Sequence, residues 1–136
     1  MSFVLDCSVS AAWCLPDESS EAAKKIFYRL AGEDALAPPL WIVEMANVLV
    51  VAERRGRITP ADASRAIELM QSLPIRVDSV DLRTVNGTRL LAREYRLSAY
   101  DASYLELAQR AGLPLATVDR DLSMAAGKCG VPLLAG

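Results

Sequence analysis

The chain has 136 residues, a formal net charge of −2 and a sequence pI of about 5.2. That size suits one ordinary domain spanning residues 1–136, and an apolar share of 52% allows a sizeable core and argues against disorder. The mild acidity excludes a strongly basic nucleic-acid coat, although arginines can still line the rim of an acidic site.

Two details of composition narrow the chemistry. Arginine outnumbers lysine 12 to 3, and a planar guanidinium suits bidentate phosphate contact. There is no histidine, so proton transfer and charge neutralisation fall to acids and to a metal they hold. Cys7, Cys14 and Cys129 form no C-x-x-C pair, and no secretory signal is legible. They are expected as buried thiols in a reducing cytoplasm, too few and too scattered for a zinc site. The most apolar stretch, Leu40–Ala52, has 13 residues and contains Glu44 and Asn47. It falls short of the ~20 residues that span a bilayer.

In chain order, Ser2-Phe3-Val4-Leu5 predicts a buried strand ending at Asp6. Ser8 is placed to cap a helix over Val9–Leu15 or to hydrogen-bond Asp6, two compatible roles. Pro16-Asp17 breaks it and opens a second helix, Glu18–Ala31, with Ile26, Phe27 and Leu30 on one face and Gly32 as the stop. Ala35-Leu36-Ala37 predicts a short strand. A third helix runs Leu40–Arg55. Thr59-Pro60-Ala61-Asp62 is a capping box opening a fourth, Ala61–Leu73, with Ala66, Ile67, Met70 and Leu73 inward.

Alternation over Ile75–Val80 predicts a strand. Leu82–Tyr95 follows as a helix with Val85, Leu90 and Leu91 inward, then Ser98–Ala111 as another, ended by Gly112. Leu115–Val118 is a strand ending at Asp119, Leu122–Lys128 a short helix and Val131–Leu134 a last strand. Helices alternating with short apolar strands predict an α/β domain around a parallel sheet.

Four acids stand out. Asp6 ends a strand, where open parallel sheets bind ligands, or it serves as a turn or cap acid. Glu44 and Asn47 are the only polar residues of Leu40–Val51 and share a helix face. A carboxylate buried there needs a partner or a cation; the plainer role is a solvent stripe. Asp101 sits in Ser98-Ala99-Tyr100-Asp101, a capping-box pattern that satisfies a helix end and still leaves an oxygen for a metal. Asp119 directly follows a strand, as a ligand or an N-cap. Asp121 falls in the next helical turn, where an acid complements the helix dipole, and reads as peripheral.

Taken together, four segments resemble the PIN-domain nucleases, most closely the VapC toxins of bacterial and archaeal toxin–antitoxin pairs. They are Val4-Leu5-Asp6-Cys7-Ser8-Val9, Glu44-Met45-Ala46-Asn47-Val48-Leu49, Ser98-Ala99-Tyr100-Asp101-Ala102-Ser103-Tyr104-Leu105 and Leu115-Ala116-Thr117-Val118-Asp119-Arg120-Asp121-Leu122. Asp6, Glu44, Asp101 and Asp119 match the family's acidic cluster, and Ser8, Asn47 and Thr117 its neighbouring polar positions. Cys7 stands where the family often has a small residue.

The resemblance implies a three-layer α/β/α sandwich around a parallel sheet, usually dimeric. It implies a Mg²⁺- or Mn²⁺-dependent endoribonuclease held by a cognate antitoxin. In that reading Asp6, Asp101 and Asp119 hold one or two metal ions, and Glu44 orients or deprotonates the attacking water. In-line attack then leaves a 5′ phosphate and a 3′ hydroxyl. A route through paired histidines is excluded by composition. Arg54, Arg55, Arg57, Arg89, Arg93, Arg96 and Arg120 are candidates for phosphate contact, and Trp13 and Trp41 for either base stacking or core packing. The alternatives are a PIN nuclease of RNA processing without an antitoxin, and a non-catalytic metal-binding or interaction module whose acids only cap helices.

Overall fold

A computed structural model describes residues 1–134. The fold is organised by β1 (Ser2–Leu5), whose Phe3, Val4 and Leu5 are fully buried. Successive strand residues point to opposite faces, so both faces of β1 are covered, as in a central strand of a parallel sheet. β2 (Asp34–Ala37), β3 (Ile75–Val77) and β4 (Leu115–Ala116) complete a sheet in the order β3-β2-β1-β4. Every pairing is parallel: Phe3 faces Ala35, Val4 faces both Leu36 and Leu115, and Ala35 faces Ile75. The chain builds from β1 through β2 and β3 on one side and adds β4 on the other. Strand order therefore reverses between β1 and β4, and their carboxyl ends frame the crevice where such sheets bind ligands.

Seven helices flank the sheet in an α/β/α sandwich: α1 (Cys7–Cys14), α2 (Glu21–Arg29), α3 (Leu40–Arg54), α4 (Pro60–Ser72), α5 (Thr84–Tyr95), α6 (Ala99–Ala111) and α7 (Arg120–Lys128). α6 packs on β1 and β4 through Ala102, Tyr104, Leu105, Leu107 and Ala108, all buried. Burying one such leucine is worth about 2 kcal/mol. α1 is locked to α3 by a buried polar clasp. Trp41 Nε1 donates to Ser10 Oγ at 2.9 Å, and Ser10 Oγ lies 3.1 Å from Met45 Sδ.

Several elements differ from the sequence expectation, each for a local reason. α1 starts at Cys7 with Asp6 at its cap position, because the Ser8 hydroxyl turns to Asp6 instead of capping. Pro16–Glu18 forms a 3₁₀ turn, and Ser20 caps α2 by accepting from Ala23 N at 3.1 Å. β3 stops at Val77: the Asp78 amide bonds back to Ala37 O at 2.8 Å, and its carboxylate takes Arg110 at 2.8 Å. Val131–Leu134 contributes one parallel bridge, Leu133 to Leu115, rather than a strand.

Two apolar faces expected inward, on α4 and α5, are partly open. Ile67, Val85 and Leu90 are exposed, as are Ile42, Val43 and Val50 of α3. The thiols are half-buried and none is in a disulfide. Both tryptophans are structural: Trp41 is buried, and Trp13 donates to Ala23 O at 2.8 Å and packs edge-on to Phe27. No helix among the described residues is long and apolar enough to cross a membrane.

Two glycines should respond oppositely to alanine. Gly112 ends α6 at φ +67°, in the left-handed region that a Cβ disfavours. Gly127 lies inside α7, where a Cβ meets nothing within 4 Å. Gly112→Ala should cost about 1 kcal/mol, and Gly127→Ala should gain ~0.5–1 kcal/mol. Urea unfolding of the two variants checks both signs.

Candidate active site

Asp6 leaves β1 directly into the β1/β4 crevice and is 4% exposed. Its amide donates to Ala116 O at 3.0 Å, tying it to β4. One carboxylate oxygen, Oδ2, accepts from Ser8 Oγ at 2.5 Å and Thr117 Oγ1 at 2.7 Å. Ser8 Oγ and Thr117 Oγ1 are themselves 3.3 Å apart, and Ser8 Oγ accepts from Val118 N at 3.1 Å. Burial raises the Asp6 pKa above the usual carboxylate value, against these hydrogen bonds. The Ser8 backbone amide adds a further hydrogen bond to the carboxylate.

Glu44 comes from α3, half-buried rather than enclosed. Its Oε1 accepts from the Tyr104 hydroxyl. Tyr104 is fully buried on α6, one turn beyond Asp101 and on the same helix face. Sequence reasoning passed over it: the one signal was a tyrosine three residues after an acid, and buried phenols need a partner. Desolvation raises the pKa of Glu44, and Asp6 adds to the rise. Asn47 is exposed and makes no hydrogen bond to the acids.

Asp101 occupies the first turn of α6. Its amide donates to the capping Ser98 Oγ at 3.1 Å, but its carboxylate makes no return bond. Thr59 and Asp62 of α4, by contrast, form the reciprocal box. The Asp101 carboxylate is thus left over from capping. Asp119 does cap: Oδ2 accepts from Leu122 N at 2.8 Å, and its amide donates to Thr117 Oγ1 at 3.0 Å. Its Oδ1 remains free of hydrogen bonds. Asp121 is exposed in the first turn of α7, near Asp101.

The acids sense one another. Asp101 is pushed up to about 6, first by desolvation and then by Asp6, Asp119, Glu44 and Asp121 in turn. No ion pair among the described residues reaches Asp6, Glu44, Asp101 or Asp119. Oxygen-only donors, mutual repulsion and no basic partner fit a hard divalent cation. Among the described residues, however, no three of them stand close enough together to form a ready-made ligand group.

The repulsion has a sign. A folded-state pKa of about 6, above the ordinary 3.8, means that ionised Asp101 opposes folding at neutral pH, and that this penalty fades as pH falls toward 4. With divalent ions chelated, Asp101→Asn should raise Tm at pH 7.5 by about 3 °C, after discounting for a half-exposed side chain. The gain should vanish at pH 4. Thermal melts at the two pH values test this.

The chain as a whole is similar to known proteins. Residues 3–128 match the PIN domain family. Ribonuclease VapC3 of Pyrobaculum aerophilum is 30% identical over 125 residues, covering 90% of this chain and 93% of that protein. The crystal structure of PAE2754 from the same organism superposes with a TM-score of 0.72 at 26% identity, covering 92% of this chain and 84% of that one. VapBC2 of Rickettsia felis, solved bound to a DNA fragment from its promoter, shares the fold alone. Its TM-score is 0.70 at 8% identity, covering 98% of this chain and 97% of that one. A match across nearly the whole chain, with 30% identity to a curated relative covered almost end to end, means that the chain belongs to the PIN-domain family.

Proposed function

We propose that this chain is a metal-dependent endoribonuclease and the toxin of a toxin–antitoxin pair. The observation that carries the reading is the set of four uncompensated carboxylates at the β1/β4 crevice. The 30% identity to Ribonuclease VapC3 supports RNA as the substrate. The likeness to the VapBC2 assembly accords with a protein antitoxin.

Asp6, Asp101 and Asp119 are the residues that would hold Mg²⁺ or Mn²⁺, directly or through water. When bound, such an ion polarises a phosphoryl oxygen, lowers the pKa of its water and neutralises the leaving 3′ oxygen. The rest falls to the chain. Ser8 and Thr117 hold the Asp6 carboxylate in place at the crevice. Glu44 orients or deprotonates the attacking water, and Tyr104 fixes the carboxylate that does so. Asp119 serves two ends at once, one oxygen on the Leu122 amide of α7 and the other available to the ion. The exposed apolar residues Ile42, Val43 and Val50 on α3, and Val85 and Leu90 on α5, offer surfaces for the antitoxin and for a second copy in a homodimer.

The test is incubation of the purified chain with a mixed RNA pool and Mg²⁺ or Mn²⁺, beside EDTA and Asp101→Asn controls. Cleavage into 5′-phosphate fragments that disappears in both controls is expected. Cleavage surviving in the variant would remove Asp101 from the site.

Tyr104→Phe gives a finer check. Loss of the phenol removes a donor that favours ionised Glu44, so the Glu44 pKa should rise further. The acid limb of the pH–rate profile should move to higher pH, while the isosteric, buried ring keeps the fold at a cost of about 1 kcal/mol. An unmoved limb would mean that Glu44 is not the titrating base.

A further inference from the structure

A polar cavity opens beside Asp101, and we infer that it is the subsite for the nucleotide next to the cleaved bond, with Arg96 and Lys128 gripping its phosphate. This rests on the nuclease reading above. The cavity is about 410 Å³, within the range of small-ligand sites. One wall is the α5–α6 turn, Tyr95 to Ser98; the other is a single face of α7 carrying Asp121, Met124 and Lys128. Asp101 lines it too, so a strand of RNA held there lies against a carboxylate of the proposed catalytic set.

Its charged groups have the right chemistry. Arg96 and Lys128 make no ion pair among the described residues, whereas Arg57, Arg76, Arg83 and Arg110 are each committed to carboxylates. Unpaired cations facing a cavity are available to a phosphate, and an arginine fork matches phosphate oxygens. Arg96 is also the one non-glycine residue with positive φ among the described residues, at 54°, where it ends α5. Glycine or asparagine holds that conformation with less strain, so an arginine there sits against its own backbone preference. Tyr95, beside it, offers a ring edge or face to a base. Asp101 and Asp121 on the same cavity offset the two cations. Asp121 can accept from a base amino group or a ribose 2′-hydroxyl, which suits a ribonucleotide better than a bare anion.

The experiment is fluorescence anisotropy with a 5′-fluorescein-labelled 12-nucleotide single-stranded RNA of mixed sequence. It uses Mg²⁺ and a Glu44→Gln background so that the probe is not cut. Arg96→Asn and Lys128→Met are introduced singly and together, with Arg83→Ala as the surface control. Each single variant should weaken binding about 3- to 10-fold and lower the salt dependence of log K by about 0.7, the loss of one single-strand phosphate contact. The pair should compound, and Arg83→Ala should bind as the parent does. Arg96→Asn should melt at or above the parent temperature, since it relieves strain. The inference is overturned if both variants bind like the parent, or if Arg83→Ala loses as much as they do. A parent that does not bind the RNA at low salt overturns the nuclease reading itself, a different result from parental binding in the variants.

Discussion

A carboxylate almost shut off from water, with no lysine or arginine beside it, is the constraint around which this protein is arranged. Asp6 sits where β1 hands the chain to α1, and both of its hydrogen-bonding side chains are fixed by that geometry: Ser8 from the first turn of α1, Thr117 from the end of β4. An ionised group in that position costs several kcal/mol without compensation. Two hydroxyls on one oxygen offset part of it. The parallel pairing of β1 with β4 is what brings residues 111 positions apart into contact. Without that pairing the crevice, the acids and the α7 N-terminus lose their common origin.

The fold was legible because its signals are redundant. Apolar strands bounded by glycine and proline, a full capping box at Thr59 and Asp62, and a left-handed stop at Gly112 all point to the same elements. What the sequence could not convey was which apolar faces find a partner. Ile67, Val85 and Leu90 follow helical spacing, yet they are exposed, because periodicity marks a face and not what covers it. Likewise Val131–Leu134 has strand composition, but the proline and the short reach of β4 leave room for one bridge.

The site was partly legible for a related reason. Each acid occupies a position that local rules already explain, so capping and ligation compete for the same residue on paper. The structure separates them. Asp119 spends an oxygen on the helix amides, Asp101 spends none, and Glu44 faces a buried phenol. Tyr104 escaped notice because an apolar ring in an apolar helix looks like core, and only its hydroxyl betrays the site. The cations of the neighbouring cavity were invisible too: an exposed arginine in sequence carries no sign of whether a carboxylate already holds it.

The division of labour between Asp101 and Asp119 has an evolutionary reading. Folding is helped by Asp119, whose side chain caps α7, and is opposed by the charge of Asp101. In copies of the gene released from selection, Asp101 is therefore free to drift first and Asp119 is held back by stability alone. On the proposed function, a surviving aspartate at the head of the last helix is poor testimony that a descendant still works, and a surviving aspartate in the first turn of α6 is good testimony.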